Sequence, residues 1–140
     1  MNPARVRERG LAFVAVRGAH LVGVRLTFDK MSVDHEGIGH ATLHPAADST
    51  VEGVLYDLAG PDEIVKMDRF ERTPIVYRRE VVWVSVDGHH TDAWTYIANA
   101  QFCRPNLKPD RRYLEHLLAG GPYLSEGYLR ALRAIPCRDD

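Results

Sequence analysis

The sequence predicts an α+β domain: a mixed or antiparallel sheet closing into a small barrel, with flanking helices. Three observations carry this expectation. Runs of β-rich, often alternating apolar residues dominate the stretch from Leu11 to Ala98. The pair Asp87-Gly88 between two such runs is a hairpin signal, because both residues tolerate positive φ. One helical pattern interrupts the strands and two more close the chain, which argues against a doubly wound parallel fold.

Taken in order, Asn2 caps a short helix over Ala4 to Glu8, with Pro3 at its first position and Gly10 after its end. Leu11 to Val16 is a β-rich run. Val22, Val24, Leu26 and Phe28 alternate along a half-buried strand from Leu21 to Phe28. His40 to His44 and Val51 to Leu58 are further strands, with Pro45 to Ser49 as the turn between them. Gly60 to Glu71 reads as one helix, capped by Gly60, with Pro61 at its first position and Asp62 and Glu63 against the dipole. Ile75 to Val86 and Ala93 to Ala98 form the hairpin around Asp87-Gly88. Asp110 to Ala119 is an amphipathic helix stopped by Gly120-Gly121-Pro122, and Ser125 caps the last helix.

Composition narrows the function. The 140 residues suit a single domain, 1–140, with no internal repeat or linker. A net charge of -1 leaves no electrostatic footprint for nucleic acid. Arg5, Arg7, Arg9, Arg111 and Arg112 read as solvated helix faces. No apolar run is long enough to span a bilayer, so no membrane partner is expected. The polar start is no signal peptide, and Cys103 and Cys137 lack metal spacing; both point to a cytoplasmic location.

Familiar site motifs are missing. There is no GxSxG, P-loop, GxGxxG or CxxC. His40 and His44, with His35, offer imidazoles for a metal, but a solvated strand face is the plainer reading and no metal is expected. Ser49, Ser85 and Ser125 have no evident base partner. Glu71 is the residue that stands out. At 100° per residue it falls about 20° from the centre of the apolar face formed by Ile64, Val65, Met67 and Phe70. A carboxylate there is either tied to an amide or an arginine, or is an acid/base, and periodicity leaves both readings open. Tyr56, Tyr77, Tyr113 and Tyr128 read first as packing residues with hydroxyls at the rim.

Ordered landmarks then bear on this choice. They are Arg25-Leu26-Thr27-Phe28, Gly39-His40-Ala41-Thr42, Val51-Glu52-Gly53-Val54-Leu55-Tyr56, Met67-Asp68-Arg69-Phe70-Glu71, Tyr77-Arg78-Arg79, Thr95-Tyr96, Lys108-Pro109 with Tyr113, and Gly120 with Leu124 through Tyr128. In this order and spacing the chain resembles the γ-glutamylcyclotransferase-like family, which includes the plant AIG2-like proteins. The resemblance implies a cofactor-free enzyme for a small-molecule γ-glutamyl substrate. The substrate's α-amine attacks its own γ-carbonyl, giving 5-oxoproline and a free amine. It implies Glu71 as the acid/base, with Tyr77 and Tyr128 as substrate-binding pocket residues.

Two departures accompany the match. The family's Tyr-Gly-Ser-Asn strand and loop precede the point where the resemblance begins, at Met1 to Arg5. A start upstream, another segment or second subunit filling the gap, or a fold kept after catalysis was lost would each account for this. A homodimer covering the open sheet edge is one expected assembly. A catalytically impaired binding or assembly domain is the alternative function. Arg72 also stands where the family usually has Gly, which bears on the turn after Glu71.

Overall fold

A computed structural model describes residues 1–140. Four strands and four short helices run in the order α1 (Pro3–Glu8), β1 (Phe13–Met31), β2 (Gly39–Leu58), α2 (Glu63–Phe70), β3 (Tyr77–Val86), β4 (His89–Ala98), α3 (Arg111–Leu118) and α4 (Glu126–Arg133). Single 3-10 turns sit at Ala100–Phe102 and Gly121–Tyr123. The class is α+β, as expected, with the antiparallel order β2-β1-β3-β4.

The sheet does not close into a barrel. No ladder joins β2 to β4. The Thr42 side chain of β2 reaches across instead, its Oγ1 accepting from the Ala98 amide of β4 at 2.9 Å, and the Tyr77 hydroxyl of β3 donates to the Ala41 carbonyl of β2 at 2.9 Å.

β1 and β2 are each continuous, where the sequence predicts two strands apiece. They form one long hairpin with register breaks. Val22 pairs with Thr50 and Val24 with Pro45, so residues 46–49 leave the ladder opposite Gly23 alone. Gly23 takes φ 86°, a conformation that favours glycine. The expected turn at Pro45 to Ser49 is therefore a bulge that does not reverse the chain. At the far end, Gly39 is required for close packing: a Cβ there would collide with the Phe28 carbonyl.

The second hairpin turns at Asp87 (φ 49°) and Gly88 (φ 80°), the paired positive φ of a type I′ turn. Helix caps also follow the sequence. The side chains of Asn2, Asp110 and Ser125 accept from the amides of Ala4, Tyr113 and Tyr128. Leu117, Leu124, Leu129 and Leu132 make the core between the last two helices and Leu26 and Phe28 of β1.

α2 is shorter than predicted. Asp62 is its N-cap residue, Gly60 and Pro61 lie in the preceding turn, and Glu71 is the C-cap. None of its residues is buried; Val65 and Phe70 are 47% and 53% exposed. The helix lies on the rim of the sheet rather than in the core.

Candidate active site

Asp68 fixes α2 to the second hairpin. Its carboxylate accepts from the Tyr96 hydroxyl at 2.6 Å and lies 3.4 Å from Arg79, which covers the Trp94 ring. The two carboxylates of Met67-Asp68-Arg69-Phe70-Glu71 thus divide their roles. Asp68 anchors, and Glu71, one residue past the helix, meets Arg9 instead of the hairpin.

Arg9, just beyond α1, meets that end of α2. Its guanidinium lies 3.5 Å from Glu71 Oε1, donates to Met67 Sδ at 3.3 Å and covers the Phe70 ring. Even so, burial dominates at Glu71 and pushes its carboxyl above the usual glutamate range, against the pull of Arg9 and Lys30. The turn that follows is tight: Arg72 takes φ 51°, and its carbonyl accepts from the amides of Ile75 and Val76. A non-glycine residue therefore adopts the left-handed conformation at the position where glycine was expected.

Lys30 comes from β1. It is only 5% exposed, and its ammonium lies 5.5 Å from the centre of the Tyr77 ring. Burial lowers its pKa, while Glu71 opposes that shift. Tyr77, from β3, is buried, and its hydroxyl is pushed well above the ordinary value by burial, then by Tyr113 and Glu71. Its proton is committed to the Ala41 carbonyl. Tyr113, from α3, accepts from the Ala41 amide at 3.0 Å, and burial pushes it up to about 12. The α-amino group of Met1 is also buried here, with Glu71 the largest charge acting on it; burial lowers its pKa to about 6.

Glu71, Arg9, Lys30, Tyr77 and Tyr113 thus share one electrostatic neighbourhood. Tyr128 stands elsewhere. It packs against the leucine core, and the charge acting on it is Glu52. Lys30, Arg9 and Tyr113 are the members that sequence reasoning did not assign to the site. For Lys30 alternation was no guide, because the register of β1 shifts between Thr27 and Lys30 and breaks the phase set by Leu26 and Phe28. For Arg9 there was no signal either, because its partners lie about sixty residues on.

The histidines do not converge. His40 stacks on Tyr113, and burial followed by Lys30 lowers its pKa to about 4. His44 bonds Asp29 at 2.9 Å. Asp29, His44 and Cys103 each bring one potential ligand atom within 4.8 Å of the others. Two of the three, Asp29 and His44, are already bonded to each other, Thr27 donates to Asp29 at 2.7 Å, and the Cys103 thiol is directed to the Asn99 carbonyl. Burial raises the Cys103 thiol and favours its protonated form. Two clefts of about 130 and 330 Å³ lie along the sheet near His20 and Leu21. Neither includes a carboxylate, so neither rivals the Glu71 neighbourhood as an acid/base site.

Comparison with known proteins agrees with this arrangement at the level of fold. A solved structure described as a γ-glutamyl cyclotransferase is similar over 99% of this chain and 84% of its own, with TM-score 0.82 and 19% identity. An uncharacterized human protein is similar over 98% and 82%, with TM-score 0.79 and 20% identity. YkqA from Bacillus subtilis is similar over 97% of this chain and 52% of its own, with TM-score 0.76 and 22% identity. No curated protein sequence matches. The family model described as γ-glutamyl cyclotransferase, AIG2-like, matches residues 3–123. A match over that span, on a chain with this sheet and helix order, makes the protein a member of the γ-glutamyl cyclotransferase, AIG2-like family.

Proposed function

We propose that the protein cyclises the γ-glutamyl group of a γ-glutamyl amide, amine or peptide to 5-oxoproline, with Glu71 as general acid/base. The observation that carries this reading is the state of Glu71: a carboxylate in contact with Arg9, held above its usual pKa by burial against the pull of Arg9 and Lys30.

The chemistry follows from that state. An α-ammonium titrates near 8 and an ordinary glutamate near 4.3, so raising the carboxyl narrows the gap across which the proton moves. Glu71 takes one proton from the ammonium. The freed amine attacks the γ-carbonyl carbon and forms the ring C–N bond. The bond to the leaving nitrogen then breaks as Glu71 returns that proton to it, and the second proton of the ring nitrogen passes to the departing amine, which leaves as an ammonium ion. Nucleophile and electrophile belong to one molecule, so orientation alone contributes on the order of several kcal/mol. In this reading Tyr77 forms a pocket wall through its ring, since its proton is already donated to Ala41. Tyr128, beside Glu52, belongs to the outer border of the pocket at most.

The proposed setting is the cytoplasm, in keeping with two free cysteines, and no helix is long and apolar enough to cross a membrane. The proposed assembly is a homodimer across the free sheet edge, tested by light scattering. The test of function is 5-oxoproline release from γ-glutamyl amides, with Glu71→Gln as control. Product from the parent and not from the variant supports the reading. No product from any γ-glutamyl compound, with ligand binding insensitive to Glu71→Gln, favours the binding or assembly domain.

A further inference from the structure

Lys30 is the least expected residue in the molecule. It is a lysine with 5% exposure and takes part in none of the chain's ion pairs. A buried cation without a contact ion pair is costly, and perturbed titratable groups of this kind cluster at functional sites. The face of Tyr77 gives it only a weak partner at 5.5 Å. Lys30 also sits on a rigid frame. Its backbone bridges Cys103 on one side and pairs with His40 on the other. Its position is therefore set by the sheet and not by a mobile loop.

The charge next to it is of opposite sign. Glu71 acts on Lys30 as its strongest charged neighbour without forming a contact ion pair, so the site presents a carboxylate and an ammonium around the Tyr77 ring with room between them for a ligand's charges. A γ-glutamyl group carries the complementary pair on a single carbon, an ammonium and a carboxylate. If the ammonium goes to Glu71, the carboxylate attached to the same carbon falls toward the only buried lysine.

We infer that Lys30 binds the α-carboxylate of the γ-glutamyl group, so that the site selects γ-glutamyl compounds whose α-carboxylate is free. This rests on the Glu71 reading above. Ring closure leaves that carboxylate untouched, so the product should use the same contact. Lys30 is in this sense a binding residue and does not exchange protons with the reacting atoms.

The experiment compares binding of 5-oxoproline and of its carboxamide, 5-oxoprolinamide, by titration calorimetry. The parent should bind 5-oxoproline about 10- to 100-fold more tightly than the carboxamide, the range of one hydrogen bond to a charged group. Lys30→Met should lose that preference while Lys30→Arg keeps most of it. The parent's own preference gives a result even where Lys30→Met does not fold. Equal binding of acid and carboxamide by the parent, no binding of either, or an undiminished preference in folded Lys30→Met would each overturn the inference. If the preference is present but no γ-glutamyl compound is cyclised, the carboxylate site stands and the cyclisation reading falls. If cyclisation occurs without the preference, the reverse holds.

Discussion

Tyr77 and Tyr113 hold the same peptide residue from its two polar groups. The hydroxyl of Tyr77 donates to the Ala41 carbonyl at 2.9 Å, and the hydroxyl of Tyr113 accepts from the Ala41 amide at 3.0 Å. One tyrosine comes from the second hairpin and the other from the third helix, so Ala41 joins three parts of the fold at the side of the candidate site. Either Tyr→Phe change leaves a backbone group of Ala41 without its partner, at a cost of about 1–3 kcal/mol. Chemical denaturation of both single variants and the double variant should show coupling, because the two bonds share one residue. Strictly additive effects would mean that the two tyrosines act independently.

Glu71→Gln should separate activity from stability. Burial raises the Glu71 carboxyl, so the fold holds that proton more tightly than the unfolded chain. The resulting stability is full below the ordinary glutamate value and is lost as pH rises through the raised one. The neutral variant should therefore melt about 1–3 °C above the parent near pH 7, with the gap closing in acid. Its rate of 5-oxoproline formation should fall about 100- to 10,000-fold, the usual scale for a lost acid/base. A variant that melts lower at pH 7 would show that the Arg9 contact outweighs the cost of burial.

The acid limb of kcat/KM should report the same group. Activity should rise with pH through a midpoint above about 4.3, the ordinary glutamate value. Arg9→Met should move that midpoint further up, since the guanidinium at 3.5 Å favours the carboxylate. A midpoint unmoved by loss of Arg9 would assign the limb to another group.

Arg72→Gly tests the turn behind the base. Arg72 adopts φ 51°, which costs a residue with a Cβ about 1–2 kcal/mol. Glycine removes that strain but loses more freedom on folding, so the net gain should be about 0.5 kcal/mol or slightly more. Urea denaturation measures it. A loss instead would mean that the Arg72 side chain contributes more than its backbone strain costs.

Elements governed by local chemistry were legible. Asn2, Asp110 and Ser125 cap helices because their side chains reach an amide two or three residues on. Asp87-Gly88 turns a hairpin because those two residues accept positive φ. What depends on partners far along the chain was not legible. Gly23 facing the extra residues 46–49 is a matter of register between distant strands, and alternation within one strand does not show it. The junction of an open sheet, where Thr42 and Tyr77 reach backbone groups of other elements, is likewise a matter of distant partners. At the site, Glu71 was visible as a carboxylate in an apolar pattern. Its helical face was misjudged, because α2 ends at Phe70 and lies on the rim.

The bulge at residues 46–49 bears on how such a chain can change over time. Ladder pairs resume on both sides of it, from Val22 with Thr50 and from Val24 with Pro45. An insertion or deletion within it alters only the number of residues outside the ladder. The stretch carrying Lys30, His40 and Ala41 keeps its alignment on one side while the stretch from Phe13 to Val22 keeps its own on the other. The long hairpin thus has a built-in expansion joint: the bulge can gain or lose residues while both halves keep their register and the groups around Glu71 keep their spacing.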